Sequence, residues 1–349
     1  MSLLSRNIRG IPRTAIFRSG RFDRPSLGIE HRGAFSIGPG HTVLCIGSCF
    51  AREVGRVLES AGVRSTFAGL THRYNALNID QTLRWAFEGG VGTEHFVRLR
   101  SGRWFDPYDR ARLDTGYADP DEALAVTLGQ LERLRAAAAT ADRVVITLGL
   151  TEVWRDTSAG AWLNHMPPVT TADPFAERFR VRATSVAENR DAIVSIVRRV
   201  TRVNPAARFV LSVSPIALNA SFTAPDVLVA TMRSKAVLRA AVDEAIAVLP
   251  AGVVDYFPSF EIVMYQRHDG VYRARDARGR PDRQHIQQAF IDRAVRPVFE
   301  RAYLPWAGAE GNEKTPPREI RGRLCQSSGE DGVRYVEILQ TALSRCKGR

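Results

Sequence analysis

Four short runs of β-branched and aliphatic residues, each ending at Gly, Ser or Pro, constrain this chain more than any other feature. They are "TVLCIG" (42–47), "RVVITLG" (143–149), "RFVLSVSP" (208–215) and "GVVDYFP" (252–258). They are apolar nearly throughout rather than alternating, the pattern of strands buried on both faces of a parallel sheet. Helical periodicities fill the intervals. Phe50, Val54, Val57, Leu58 and Ala61 share one face that stops at Gly62, so a strand–turn–helix unit with a two-residue turn is expected at 42–62. A second helix is expected from Pro120 to about Ala139. A third opens on the capping-box pair Ser185 and Glu188, turns Ile193, Ile196, Val197 and Val200 inward and stops at Asn204-Pro205. A fourth spans roughly 226–249, and a last core helix runs from Ile286 to about Tyr303. Strands alternating with long helices imply βαβ units, right-handed crossovers and an α/β chain with a parallel sheet between two helical layers.

The catalytic-type domain is expected over residues 41–304. Residues 1–40, rich in Arg, Gly and Pro, read as an irregular arm, and 305–349 as a linker and tail with a short helix near 331–345. Of the 49 basic residues only three are Lys, and the net charge is +12. The Arg residues are scattered, with no basic helix and no aromatic interleaving, so a nucleic-acid partner is not expected. Such a charge does suit anionic substrates or cofactors. Cys45, Cys49, Cys325 and Cys346 are too few and too irregularly spaced for a disulfide framework or a zinc site. His72, His95, His165 and His268 show no ligand spacing, and no metal is expected. The opening "MSLLSRNIRGIPRTAIFRSGRF" has no unbroken apolar core of a secretory signal, and no window approaches a membrane span. A cytoplasmic protein is the expectation.

In a parallel sheet, ligands bind beyond the carboxyl ends of the strands. The residues that follow each strand are therefore the candidates: Ser48 and Cys49 after the first, Thr151, Glu152 and Trp154 after the second, Ser214 after the third, and Asp282 with His285 downstream of the fourth. A nucleophile at a strand end, an imidazole and an orienting carboxylate make up the set required for acyl transfer. The positive end of a helix starting at Phe50 would stabilise a thiolate or oxyanion beside it. Asp282 and His285 meet in this reading at the mouth of a helix. Plainer readings exist for each element: Ser48 as a helix cap, Cys49 as a small buried hydrophobe, Asp282 as a cap beside a surface histidine, and Glu152 with Trp154 as structural residues.

The ordered series "IGSCFA" (46–51), "TFAGLTHRYNALNI" (66–79), "VVITLGLTEVWRD" (144–156), "VSPI" (213–216), "YFPSFEIV" (256–263) and "RPDRQHIQ" resembles the GSCFA family, grouped with the SGNH (GDSL-type) hydrolases. The resemblance covers roughly residues 40–300. It implies a flavodoxin-like three-layer α/β/α sandwich and an esterase or O-acyltransferase reaction, often on carbohydrate, with a small-molecule or saccharide substrate. The Gly-Asp-Ser register places Cys49 in the nucleophile position, and a shift of one places Ser48 there. His285 would move the proton and Asp282 would orient it. Gly69 is implied as a backbone oxyanion donor. The oxyanion Asn of the superfamily is replaced by Thr151, followed by Glu152, and Asn75 is a substitute donor. No cofactor is required in this reading, although a thioester such as acyl-coenzyme A is a candidate donor, its phosphates facing Arg73, Arg155, Arg273 and Arg275. The same replacement also motivates the alternative of a non-catalytic carbohydrate- or metabolite-binding member.

Overall fold

The computed structural model describes residues 26–307 except 69, 71, 109–114, 225, 267–269, 277–278 and 283. The expected tail helix near 331–345 lies outside the described residues, as does the first part of the N-terminal arm. Residues 26–40 contain neither helix nor strand. They are fastened to the domain by the Ile37 N–H donating to the Tyr303 carbonyl at 2.7 Å and by His31 against Asp255 at 3.1 Å.

Five parallel strands form the centre: β1 (Thr42–Gly47), β2 (Arg64–Thr66), β3 (Arg143–Leu148), β4 (Arg208–Val213) and β5 (Val254–Tyr256). Their order across the sheet is β2-β1-β3-β4-β5. This is the flavodoxin-like arrangement, whose order reverses between β1 and β3. Side chains alternate between two cores. Leu44, Ile46, Val144, Ile146, Phe209 and Leu211 face one layer, while Val43, Cys45, Val145 and Val210 face the other. Both sides are buried, which is why the strands read as continuous apolar runs.

Helix α1 (Cys49–Ser60) covers the second face, and α2 (Ala76–Glu88), α3 (Pro120–Thr140), α4 (Val186–Val203) and α5 (Val227–Val248) cover the first. The second face is completed by α6 (Ser259–Met264) and α7 (Arg296–Tyr303). The Ser185/Glu188 capping box is present at the start of α4. A single residue, Ser48, rather than two, joins β1 to α1. The last helix is also less regular than its periodicity suggests. Ile286 instead bridges to Tyr272, helix begins at Gln288, and a π turn occupies Ile291–Val295 before α7. Pro297 explains the interruption, because its ring excludes the carbonyl four residues earlier and it has no N–H to donate.

Several elements have no counterpart in the sequence pattern, among them β2, α6, α2 and an antiparallel sheet. α2 is capped by Asn75, whose Oδ1 accepts the Asn78 N–H at 2.7 Å. A three-stranded antiparallel sheet pairs Glu152–Asp156 with Ala161–Leu163 and Phe179–Ala183. Its buried Asp156 carboxylate is held by Arg178 at 2.7 Å. No helix among the described residues is long and apolar enough to cross a membrane.

Candidate active site

At the reversal point, β1 and β3 stay paired to their carboxyl ends, Gly47 opposite Thr147. Gly47 adopts φ 138°, and a Cβ there would lie 2.4 Å from the Thr147 carbonyl oxygen. Only glycine tolerates both the angle and the approach. The chain then turns into α1 through Ser48. The Ser48 N–H donates to the carbonyl oxygen and Oγ1 of Thr147 at 3.1 and 3.0 Å. Its Oγ lies 3.0 Å from Thr147 Oγ1 and accepts the Phe50 N–H at 3.2 Å. Ser48, 5% exposed, is thus the cap of α1 and part of the β1–β3 join.

Cys49 is the first residue of α1, and the imidazoles of His285 and His72 act on its thiol. Burial alone would push its thiol up. Hydrogen bonds with His285 and His72, and the charge of both rings, overcome that and hold the thiol well below the ordinary cysteine range. His285 moves the opposite way. Its hydrogen bond to Cys49 raises it, burial opposes this, and the charges of Cys49 and Asp282 add to the rise. Thiolate and imidazolium are therefore each favoured by the other. Cys45, four residues earlier, shows the contrast: in the apolar core, burial pushes its thiol up to about 12.

Asp282 holds His285 at two points. Its Oδ1 accepts the backbone N–H groups of Gln284 and His285, both at 3.1 Å, and its carboxylate lies 3.1 Å from His285 Nδ1. This Asx turn brings two side chains only three residues apart together in a loop, where the sequence pattern suggests the mouth of a helix. Burial tends to raise the Asp282 carboxyl, but the two N–H donors and the imidazole outweigh it and keep it below the usual carboxylate range.

The segment Tyr74–Asn75 and the turn after β3 complete the wall. The Gly149 N–H donates to the Tyr74 carbonyl at 2.8 Å, and a side chain added at Gly149 would reach Ser48 Cβ at 3.7 Å. Asn75 is buried beside them, its Oδ1 used in capping α2. Thr151 turns elsewhere, its Oγ1 lying 3.0 Å from Ser234 Oγ. The Glu152 carboxylate accepts from the hydroxyls of Ser221 and Thr223 at 2.6 and 2.7 Å and from the Phe222 N–H at 2.8 Å. Gly69 lies outside the described residues. Of the four arginines considered for phosphates, Arg73 is buried beside Asn78 and Arg155 lies over the Trp162 ring. Arg273 and Arg275 donate to the carbonyls of Ile286 and Gly279. Among the described residues no group of three or more His, Cys, Asp or Glu side chains is placed to hold a metal ion.

Two residues at the site lack a distinctive sequence signal. His72 stands in an irregular segment with φ 55°, a conformation that cannot be read from residue type alone. Lys235 is 1% exposed, donates from Nζ to the Gly149 carbonyl at 2.5 Å, and is pushed down to about 7 by burial. Its one available signal is a lysine set among the inward positions of α5 in a chain with three lysines.

The profile of the GSCFA family matches residues 42–292. No curated protein matches the chain. Among solved structures, a carbohydrate esterase family 2 enzyme plus carbohydrate-binding domain from Corynascus thermopiles (Myceliophthora fergusii) is similar at a TM-score of 0.29 and 17% identity. The similarity covers 64% of this chain and 57% of that one, so the chain spans little more than half the length of that enzyme.

Proposed function

The chain belongs to the GSCFA family, and from that premise we propose that it is an acyl-transfer enzyme in which Cys49 is the nucleophile. The observation that carries the reading is the Asp282–His285 pair at 3.1 Å, whose imidazole lowers the thiol of Cys49 at the start of α1. Asp282 fixes His285, and His285 holds the proton that the thiol has lost. The thiolate then attacks the carbonyl carbon of an ester or thioester, giving a thioester on Sγ.

The developing oxyanion needs donors. The N–H groups of Ser48, Phe50 and Ala51 already have partners within the turn. The Cys49 N–H, at the first helical position, has no intrahelical acceptor, and it sits at the positive end of α1. We assign it as one donor and Asn75 Nδ2 as another, with Gly69 N–H as a further candidate. Thr151 and Glu152, whose polar ends are engaged by Ser234 and the 221–223 loop, shape the wall in this reading. Water as acceptor gives an esterase, and a hydroxyl, including that of a saccharide, gives an O-acyltransferase. The acyl donor is an oxygen ester or a thioester such as acyl-coenzyme A.

Iodoacetamide at neutral pH tests the reading. Modification at Cys49 but not Cys45, with parallel loss of p-nitrophenyl acetate turnover, supports it. Full turnover after Cys49 is alkylated contradicts it.

A further inference from the structure

The inward face of α5 changes character along its length. Leu238, Ala241, Val242 and Ala245 are apolar and pack in the core. Toward the start of the helix, Thr231, Ser234 and Lys235 occupy that face at i, i+3 and i+4, and all three are buried. Each grips a loop at the carboxyl rim of the sheet. Thr231 Oγ1 accepts the Leu218 N–H at 3.1 Å, and Ser234 Oγ accepts the Thr151 N–H at 3.3 Å. Lys235 Nζ donates to the Gly149 carbonyl at 2.5 Å. That carbonyl shares a rigid peptide plane with the Leu150 N–H, which donates on the opposite side to the Tyr74 carbonyl at 3.4 Å. The Gly149 N–H donates to the same Tyr74 oxygen at 2.8 Å. The Tyr74 carbonyl belongs to the peptide that leads into Asn75, the residue assigned to the oxyanion. An unbroken run of hydrogen bonds therefore joins Lys235 to the oxyanion wall.

This arrangement is costly to keep. Lys235 is 1% exposed, and among the described residues no carboxylate pairs with its ammonium. Burial opposes its charge, and a buried cation without a counter-ion weakens a fold. An apolar side chain of similar volume is often neutral or stabilising in such a place. The residue type is also selective. Basic residues in this chain are arginine in all but three places. Here a slim stem ends in a compact ammonium that fits one carbonyl, where a planar guanidinium needs a wider slot. We propose that Lys235 is a positioning residue of the acyl-transfer site: its ammonium fixes the β3 turn and, through Tyr74, the Asn75 side of the oxyanion wall. This rests on the acyl-transfer reading of Cys49 and on Asn75 as an oxyanion donor. As Sγ bonds to the acyl carbon, the carbonyl π pair moves onto oxygen, and donors placed in advance stabilise that oxyanion. On collapse the pair re-forms the carbonyl, and the leaving group departs with the electrons of its own bond. Lys235 gives and takes no proton in either step.

The test separates two reactions of the same thiolate in the full-length protein. Alkylation by iodoacetamide passes through no oxyanion, whereas acetylation by p-nitrophenyl acetate does. In Lys235→Met, alkylation of Cys49 is expected to stay within about threefold of wild type, while acetylation followed by rapid-quench mass spectrometry slows about 10²-fold. The thermal midpoint is expected at or above that of wild type, because a buried charge has been removed. Lys235→Gln, which keeps an N–H donor and has no charge to bury, is the second variant, and its acetylation rate should fall between the two. Alkylation and acetylation slowing together, or acetylation unchanged in both variants, overturns the assignment of Lys235 and leaves Cys49 as the nucleophile. Absence of an acetyl adduct on Cys49 in wild type overturns the acyl-transfer reading, and the role of Lys235 falls with it.

Discussion

Ser48 Oγ lies 3.0 Å from Thr147 Oγ1 across the β1–β3 pair, while the thiol of the next side chain, Cys49, is held well below the ordinary cysteine range by His285 and His72 against the effect of burial. Two adjacent candidate nucleophiles are thus separated by the geometry of a single turn. The hydroxyl is enclosed between a strand end and the first amides of α1, and the thiol is the group that the imidazoles lower.

Ser48→Ala removes the acceptor of the Phe50 N–H and the partner of Thr147 Oγ1. Loss of a helix N-cap of this kind costs about 1 kcal/mol. Urea unfolding is expected to show a lower midpoint with unchanged slope, while alkylation of Cys49 persists.

Gly47→Ala should be far more damaging. The added Cβ falls 2.4 Å from the Thr147 carbonyl oxygen at a backbone angle that alanine disfavours. The angle alone is worth about 1–3 kcal/mol, before the clash is counted. A melting temperature well below that of Ser48→Ala is the expected outcome.

The pH dependence of Cys49 alkylation reads the thiolate directly. The hydrogen bonds and charges of His285 and His72 lower the thiol against the opposing effect of burial. Wild type should therefore alkylate rapidly from neutral pH into the mildly acidic range. His285→Gln removes the first of the lowering influences, so the thiol rises and the onset of alkylation moves to more alkaline pH. An unchanged profile in the variant would show that His285 does not govern the thiol.

Asp282→Asn keeps an oxygen for the Gln284 and His285 N–H groups but loses the charge facing Nδ1. Turnover of p-nitrophenyl acetate is expected to fall about 10²–10⁴-fold, with little change in the thermal midpoint.

The parallel sheet was legible because burial on both faces leaves a plain mark: Leu44 and Ile46 pack toward one core, Val43 and Cys45 toward the other, and all four are apolar. Asp282 and His285 were legible as a pair, though not as an Asx turn, because side chains three residues apart can meet in more than one backbone shape. The antiparallel strands around Glu152–Asp156 left no comparable mark, since they are short and defined by their pairing with distant partners. His72 was obscure for a different reason. Its placement depends on a left-handed backbone angle at a segment held by Asn164, ninety-two residues away in sequence.

The most direct measurement is the site of acylation. Wild-type protein is quenched with acid during turnover of p-nitrophenyl acetate, digested, and sequenced by tandem mass spectrometry. The acetyl group is expected on Cys49, with Ser48 unmodified and no adduct at Cys49 in His285→Gln. An acetyl group on Ser48, or turnover with no adduct at either residue, would contradict the assignment of Cys49 as the nucleophile.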